Sequence, residues 1–392
     1  MARAKSRFRK VFNARYLRWW LIGASVRICP PLGRALGFFP DHVTMLEQAD
    51  DVLAEETQYI APESLHTHMG FLERCIPHDS VAPEVNLPGG IVMGRRTAIF
   101  RNAWIDTTTS SVLLPQKART VLVRGKIANW NAVSAKPFPR RIPLNGRVWM
   151  PLDTVNYFHV LLENGLRLID LLDSGVLAGS ALTVALRPAK TEVETALWSG
   201  IGKLYPEVVF AEVPTGAMIC PDEALLHFPR DNYWEWPPVS RASAARLAEV
   251  FAATYRDRNA ESHPNRLFLT RKGAKLRTPR NSNDLDRALT DAGFTPFTAN
   301  DSNHPAQIDA FGAAKTIVAV HGAGLTNLVF CKPGTKVIEI FPGNFIKSTY
   351  WNLARQMGLE YTPVICGPGD YDQRFEVDIP AVLNALQPAR AA

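Results

Sequence analysis

The rhythm of apolar positions changes along the chain. From about Gly90 to Arg147, short apolar runs alternate with turns: Gly90-Ile-Val-Met, Thr97-Ala-Ile-Phe, Ser111-Val-Leu-Leu and Thr120-Val-Leu-Val. Closely spaced short runs predict an antiparallel β section. Ahead of it, residues 41–90 read as helical over Val43 to Leu53, then irregular and rich in His and Pro. The period then lengthens. A helix is predicted over Val155 to Asp173, a strand over Leu182 to Leu186, a helix over Thr191 to Gly200 and a strand over Glu207 to Ala211. The tract Phe228 to Pro238 holds three prolines and four aromatics and reads as a linker.

Beyond the linker the alternation is regular. Helices are predicted over Ser240 to Arg256, Asn283 to Ala292, Asp301 to Ala314, Phe345 to Met357 and Ile379 to Leu386. Strands are predicted over Arg266 to Thr270, Phe294 to Thr298, Thr316 to Val320, Thr335 to Phe341 and Glu360 to Val364. Such alternation means a parallel sheet with helices on both faces. The predicted fold class is α/β, with two Rossmann-like domains facing across a cleft: residues 41–236 on the N-terminal side and 237–392 on the C-terminal side. At 392 residues the chain is long for one core, which supports two.

The most informative stretch is Lys315-Thr-Ile-Val-Ala-Val-His321-Gly322-Ala323-Gly324-Leu325-Thr326-Asn327-Leu328. The run Thr316 to Val320 fits a parallel strand covered on both faces. A His ends it, a glycine turn follows, and then a helix begins. Glycines let a ligand approach the backbone, and a helix start presents N–H groups and a positive dipole end. Together with the next strand this forms a βαβ unit whose loop lies at the carboxyl edge of the sheet, where open α/β sheets bind ligands. The expected ligand is a phosphate or another anion. The competing view is a tight turn whose His is only a satisfied polar residue.

Other residues could join this loop. Arg271 follows the strand Arg266-Leu-Phe-Leu-Thr270 and would face the same edge as His321, placed to hold a diphosphate by paired hydrogen bonds. Lys275, Arg277 and Arg280 read as its solvated basic surroundings. Glu339 lies near the carboxyl end of the second strand, where a carboxylate suits the hydroxyls of a ribose; a buried, structurally paired Glu competes. On the helix from Val155, Asn156, His159 and Glu163 share one face at i, i+3 and i+7. A carboxylate beside a His sets its tautomer and raises its basicity, as a general base needs. An amphipathic helix with its polar side in water competes. Asp284-Leu285-Asp286 has a D-x-D form, but with Arg287 it reads as a solvated helix face. GxSxG, Walker and GxGxxG motifs are missing.

Charge sharpens the picture at one end. Residues 1–40 hold nine of the 44 Lys and Arg and no acid, so the basic balance belongs to that segment and not to the body. A nucleic-acid enzyme would carry its positive charge across the folded surface, so nucleic acid is not an expected partner. The arm interleaves Arg3, Lys5, Arg7, Arg9, Lys10, Arg15 and Arg18 with Phe8, Val11, Phe12, Tyr16, Trp19 and Trp20. That mixture suits the surface of an anionic bilayer, or a basic helix packed on the protein. The apolar run Trp19 to Val26 is too short to span a membrane. Five scattered cysteines without a C-x-x-C pair argue against a disulfide framework or a zinc site and fit a reducing, cytoplasmic setting; with the arm on a bilayer, the expected location is peripheral at the inner face of the plasma membrane.

Three segments in order resemble glycosyltransferase family 61: Asn156-Tyr-Phe-His159-Val-Leu-Leu-Glu163, Arg266-Leu-Phe-Leu-Thr-Arg271-Lys, and His321-Gly-Ala-Gly324-Leu-Thr-Asn327 with Val337-Ile-Glu339-Ile-Phe. The resemblance covers about residues 90–365. It implies an inverting, metal-independent enzyme of the GT-B architecture, without a cofactor. Such an enzyme moves a sugar such as N-acetylglucosamine or xylose from a nucleotide diphosphate donor, expected to be UDP-linked. Bacterial relatives are tied to capsule, exopolysaccharide or other surface glycans, so the implied acceptor is a glycan hydroxyl, with a lipid-linked surface polysaccharide as one form. By position, His321, Gly322, Ala323, Gly324 and Asn327 would lie on the donor side. Arg271 would neutralise the departing phosphate, and Glu339 would lie near the nucleoside. His159 and Glu163 would face the acceptor as base candidates, with Asn156 and Asp153 beside them. Phe158 and Val160 stand where the family often has Tyr and Trp, and Thr270 where it often has Ser. The runners-up are an inactive nucleotide-sugar-binding or scaffold protein, and a pyruvyl- or phosphoryltransferase acting on polysaccharide.

Overall fold

A computed structural model describes residues 43–45, 55–60, 94–114, 119–122, 140–177, 179–229, 239, 241–255, 264–300 and 303–387. The basic arm, residues 230–238 of the expected linker, and Cys29 and Cys75 lie outside the described residues; Phe228 and Pro229, expected to begin that linker, end a strand instead. Among the described residues no helix is long and apolar enough to cross a membrane.

The first unit is built on a ten-stranded sheet. Its early strands are β1 (Val43–Met45), β2 (Glu55–Ile60), β3 (Gly94–Arg101), β4 (Trp104–Asp106), β5 (Val112–Leu114) and β6 (Arg119–Leu122). Strands β3 to β6 follow one another through short connections, and the pairs β4–β5 and β5–β6 are antiparallel, as short connections require. The helix expected over Val43 to Leu53 is not what forms at its start: Val43–Met45 runs as a strand parallel to β6. Its Val-Thr-Met sequence suits a ladder, and β6 offers an edge to pair with.

The rest of this sheet is β7 (Arg140–Trp149), β8 (Leu182–Leu186), β9 (Val208–Glu212) and β10 (Ala217–Pro229). Strands β10-β7-β8-β9 run parallel; β10 pairs antiparallel with β3 and β4 on its other side. The expected Rossmann-like N-terminal domain is therefore a mixed sheet with a parallel half. Strand β10 was not among the expected elements, and it carries Pro221 in mid-strand. In the fold the register shifts between Pro221 and Glu223, so the irregularity absorbs the proline and the ladder continues.

Between β7 and β8 the chain forms a π-helical turn, His159–Gly165, that continues as α1 (Leu166–Asp173). The backbone N–H of Leu166 reaches the carbonyl of Leu161, five residues back. Helix α2 (Glu192–Leu204) starts on Thr191, whose hydroxyl accepts from the Glu194 N–H, with Glu192 and Glu194 in the first turn favouring the dipole. Helix α3 (Arg241–Thr254) follows the linker in sequence but packs back on the first unit. Ser243 Oγ donates to Asp170 on α1 at 2.5 Å, and Thr254 Oγ1 donates to the Ala196 carbonyl on α2 at 2.9 Å. Gly200 makes this possible, because a Cβ there would strike the Val250 carbonyl.

The second unit is a five-stranded, fully parallel sheet. In chain order its elements are β11 (Arg266–Leu269), α4 (Ser282–Asp291), β12 (Thr295–Phe297), α5 (His304–Ala313), β13 (Thr316–Val320), a 3-10 helix (Ala323–Phe330), β14 (Lys336–Phe341), α6 (Thr349–Met357), β15 (Glu360–Ile365) and α7 (Ile379–Ala385). The spatial order is β12-β11-β13-β14-β15. This is a doubly wound sheet whose strand order reverses between β11 and β13, the place where such sheets bind ligands. Alternation sorts the faces. Phe268, Val318, Val320, Ile338 and Ile340 join Leu285, Leu289 and Val382 of α4 and α7. Leu267, Leu269, Ile317, Ala319 and Val337 face the other way, into one continuous core with α1, α2 and α3. Glu339 lies on that second face, pointing toward the first unit.

Candidate active site

The end of β13 sets the site. His321 follows Val320, and its N–H donates to the Ile340 carbonyl at 3.0 Å, extending the ladder by one residue. In that register His321 and Phe341 are neighbours, with ring centroids 5.2 Å apart. His321 Nδ1 lies 2.5 Å from Glu339 Oε1, and the Tyr361 hydroxyl donates to Glu339 Oε2. Glu339 has no exposed surface. Both of its oxygens are engaged within the protein, as the competing view of a paired carboxylate has it. What it does is hold Nδ1 of His321, leaving Nε2 as the atom that can serve the cavity.

The glycine turn is extended, with Gly322 at φ 174° and ψ 168°, and a 3-10 helix follows in place of the expected α-helix start. Glycine is needed here for approach, not for backbone angle. A Cβ on Gly322 would collide with Arg271 Nη1, and one on Gly324 would come within 2.9 Å of Leu269 Cδ2. Arg271 thus stands against the turn, as the sequence suggests, and Nη2 donates to the Leu276 carbonyl at 2.5 Å.

Arg277 was expected to be solvated and is not. Its Nε donates to the His321 carbonyl at 3.0 Å, and its guanidinium lies 4.8 Å from the Phe345 ring centre. The backbone at Arg277 and at Gln373 has positive φ, 55° and 58°, an uncommon conformation for side chains of this kind. The two residues meet: the Arg277 N–H donates to the Asp372 carbonyl at 3.1 Å and Nη1 to Gln373 Oε1 at 3.2 Å. No sequence signal marks this, because the partner loop comes 96 residues later. Lys275 and Arg280 behave as read; Arg280 is exposed and pairs with Asp370 at 3.0 Å.

The electrostatics follow from this packing. Burial pushes the Arg271 guanidinium down to about 10, and the neighbouring Arg277 cation pushes the same way. Arg277 is also lowered, first by burial. Among the described residues neither guanidinium has a carboxylate within ion-pair distance. Two half-buried like charges side by side are costly unless an anion joins them.

A cavity of about 380 Å³ opens here, lined by Arg277, His321, Gly322, Phe345, Lys347 and Tyr350 of the second unit and by Asn156, Phe158 and His159 of the first. His159 Nδ1 is 3.0 Å from Glu163 Oε2, one helical turn on. Glu163 is buried, so this is not the solvated helix face that competed with the base reading. Asn156 caps the turn by accepting from the Phe158 N–H at 3.0 Å. Asp153 is elsewhere. It pairs with Lys190 at 2.5 Å and Arg187 at 3.6 Å and does not line the cavity. Among the described residues, no group of three or more His, Cys, Asp or Glu is placed to hold a metal ion.

Asn327 also departs from expectation. It is fully buried, and its amide donates to Gln307 Oε1 at 2.8 Å and to the Gly324 carbonyl at 3.0 Å. Its Oδ1 accepts from the Tyr157 hydroxyl at 2.5 Å. That fixes the next link. With its proton given to Asn327, the Tyr157 oxygen accepts from His304 Nε2 at 3.0 Å, and His304 Nδ1 meets the Tyr255 hydroxyl at 2.9 Å. In this structure the Asn327 amide is engaged by protein partners. It ties the glycine turn to Tyr157, two residues before His159. Neither His304 nor this relay was legible from the sequence.

Residues 157–338 match the family Glycosyltransferase 61. Over 153 residues the chain is 27% identical to a beta-1,2-xylosyltransferase of Oryza sativa subsp. japonica, covering 39% of this chain and 28% of that protein. The chain thus spans less than a third of the length of the curated relative it matches.

Proposed function

We propose, from the glycosyltransferase 61 domain that residues 157–338 form, that this protein transfers a sugar from a nucleotide diphosphate donor to a glycan hydroxyl. The observation that carries the reading is the pair of half-buried guanidiniums, Arg271 and Arg277, at the His321–Gly322 turn. They stand at the strand-order reversal of a parallel sheet and lack carboxylate partners among the described residues. A diphosphate supplies the missing negative charge in a geometry that guanidinium groups match. The relative's printed activity makes a UDP-linked pentose such as xylose the first donor to try, with UDP-N-acetylglucosamine second.

The chemistry is a single displacement with inversion. His159 takes the proton of the acceptor hydroxyl on the Nε2 side while Glu163 holds Nδ1. The oxygen forms its bond to the anomeric carbon as the bond to the diphosphate breaks, and the diphosphate keeps the electron pair. Arg271, Arg277 and His321 stabilise that developing charge, the role a divalent cation would otherwise fill. A thermal-shift screen of nucleotide sugars and free nucleotides tests the donor class. Stabilisation by UDP and its sugars is expected, and none by any nucleotide diphosphate would end the proposal. Transfer should persist in excess chelator; loss that magnesium or manganese restores would contradict the metal-free step. The membrane role of residues 1–40, and a lipid-linked acceptor, remain part of the same proposal and are tested by vesicle co-sedimentation of the full and arm-deleted chains.

A further inference from the structure

Across the Ala323–Gly324 turn from the charged cavity lies a second, smaller one of about 210 Å³. Its walls come from both units: Val155, Tyr157 and Val160 at the start of the helical segment, Thr191 and Val193 at the start of α2, and Asn300 after β12. No described residue that lines it carries a charge, although Arg277, Lys347 and His321 line the neighbouring cavity. The two cavities share Ala323, and Tyr157 of one is followed directly by Phe158 and His159 of the other.

We infer that this neutral cavity is an acceptor subsite that takes one uncharged sugar ring of the glycan, a reading that rests on the transferase function proposed above. The lining is two-sided in character. Val155, Val160, Val193 and the Tyr157 ring are apolar, and Thr191 and Asn300 add a hydroxyl and an amide. A pyranose has the matching build, with C–H faces and a rim of hydroxyls. The hydroxyl of Tyr157 is committed to Asn327 and His304, so the surface it offers the cavity is its ring, held in one orientation. Thr191 Oγ1 accepts from the Glu194 N–H, which leaves its own proton to donate. Val155 stands 61% exposed at the rim, a large aliphatic side chain where the cavity meets solvent. A phosphate does not fit, since burying it here would forfeit every cation of the adjoining cavity. A sugar seated beside Tyr157 and Ala323 lies next to the cavity where His159 and the donor would meet.

The test uses the full chain with saturating UDP and a panel of methyl β-glycosides of xylose, galactose, glucose, mannose and N-acetylglucosamine. Saturation-transfer NMR should detect at least one glycoside on the native protein. Ala299→Phe, which fills the cavity from its wall, should cut that signal by about tenfold. Calorimetric UDP affinity in this variant should stay within about twofold, as for separate sites. Val155→Glu, at an exposed position that does not threaten the fold, should cut the glycoside signal as well. The inference is overturned if no glycoside binds, or if binding is unchanged in both variants. It is also overturned if Ala299→Phe abolishes UDP binding and leaves the glycosides alone, since the cavity would then hold the nucleobase. Glycoside binding without UDP binding would sink the donor reading and leave this subsite standing. UDP binding without any glycoside would do the reverse.

Discussion

The histidines of two histidine–glutamate pairs line one cavity, and the two pairs are built differently. His159 and Glu163 are four residues apart on one helical segment, 3.0 Å apart in space. His321 and Glu339 sit on adjacent parallel strands, 2.5 Å apart, and Glu339 is also bonded by Tyr361. Arg277 donates to the carbonyl of His321 itself, and Arg271 stands on the next residue. The His321 ring therefore lies at a turn flanked by two guanidiniums. The same ring is well placed to meet an anion. On the reading proposed above, the same two residue types divide into a proton acceptor on one wall and a phosphate ligand on the other, and their neighbours distinguish them.

The largest expected effect breaks the comparison at the base. His159→Ala or Glu163→Gln should lower turnover by about a hundredfold or more, with little change in UDP affinity. Steady-state rates at saturating donor decide this. If His321→Ala shows that pattern instead, and His159→Ala does not, the two roles are exchanged.

On the opposite wall, Arg271→Ala and Arg277→Ala should each weaken UDP binding by about 1.5–3 kcal/mol, the cost of one charged hydrogen-bonding partner. Calorimetry at fixed ionic strength measures it. An Arg277→Ala protein that binds UDP like the native chain would return Arg277 to the status of a structural brace.

The two walls are joined by the relay through Tyr157, and cutting it sharpens the contrast. Tyr157→Phe leaves His304 Nε2 and Asn327 Oδ1 without their shared partner, which should cost about 1–3 kcal/mol of stability in urea unfolding. Turnover should fall further than UDP affinity, because Tyr157 positions the helical segment of His159. Equal losses in both would make the relay a general stabiliser.

The smallest effect is in pH. Anion binding favours the charged form of Arg271, whose value in the free protein is lowered to about 10. Below that pH the cation is already present and this residue adds no pH dependence. Above it, binding must take up a proton, so UDP affinity should decline by at most about tenfold per pH unit. Affinities measured between pH 8 and 10.5 would show the onset, and an affinity that rises over that range would contradict the assignment.

Much of the second unit was legible because its signals are local. Continuous apolar runs such as Thr316 to Val320 and Val337 to Phe341 mark buried parallel strands, and His321 and Arg271 follow the ends of β13 and β11. What escaped depends on distant partners. Arg277 looks like one more basic loop residue until the loop at Gln373 folds over it. Glu339 looks like a ligand carboxylate until Tyr361 and His321 take both oxygens. Asn327 looks like part of the donor turn until Tyr157, from the other unit, claims its oxygen. In the first unit β10 carries a proline in mid-strand, and the helix α3 follows the linker in sequence yet packs on the first unit.

The central claim is that the paired cations of the His321 turn hold a diphosphate. Calorimetric titration of the native chain and of an Arg271→Ala/Arg277→Ala double variant with UDP, UMP and uridine tests it most directly. The account predicts that native affinity falls from UDP to UMP to uridine, and that the double variant loses most of the difference between UDP and uridine while still unfolding cooperatively. Uridine binding as tightly as UDP, or a double variant that ranks the three ligands as the native protein does, would contradict it.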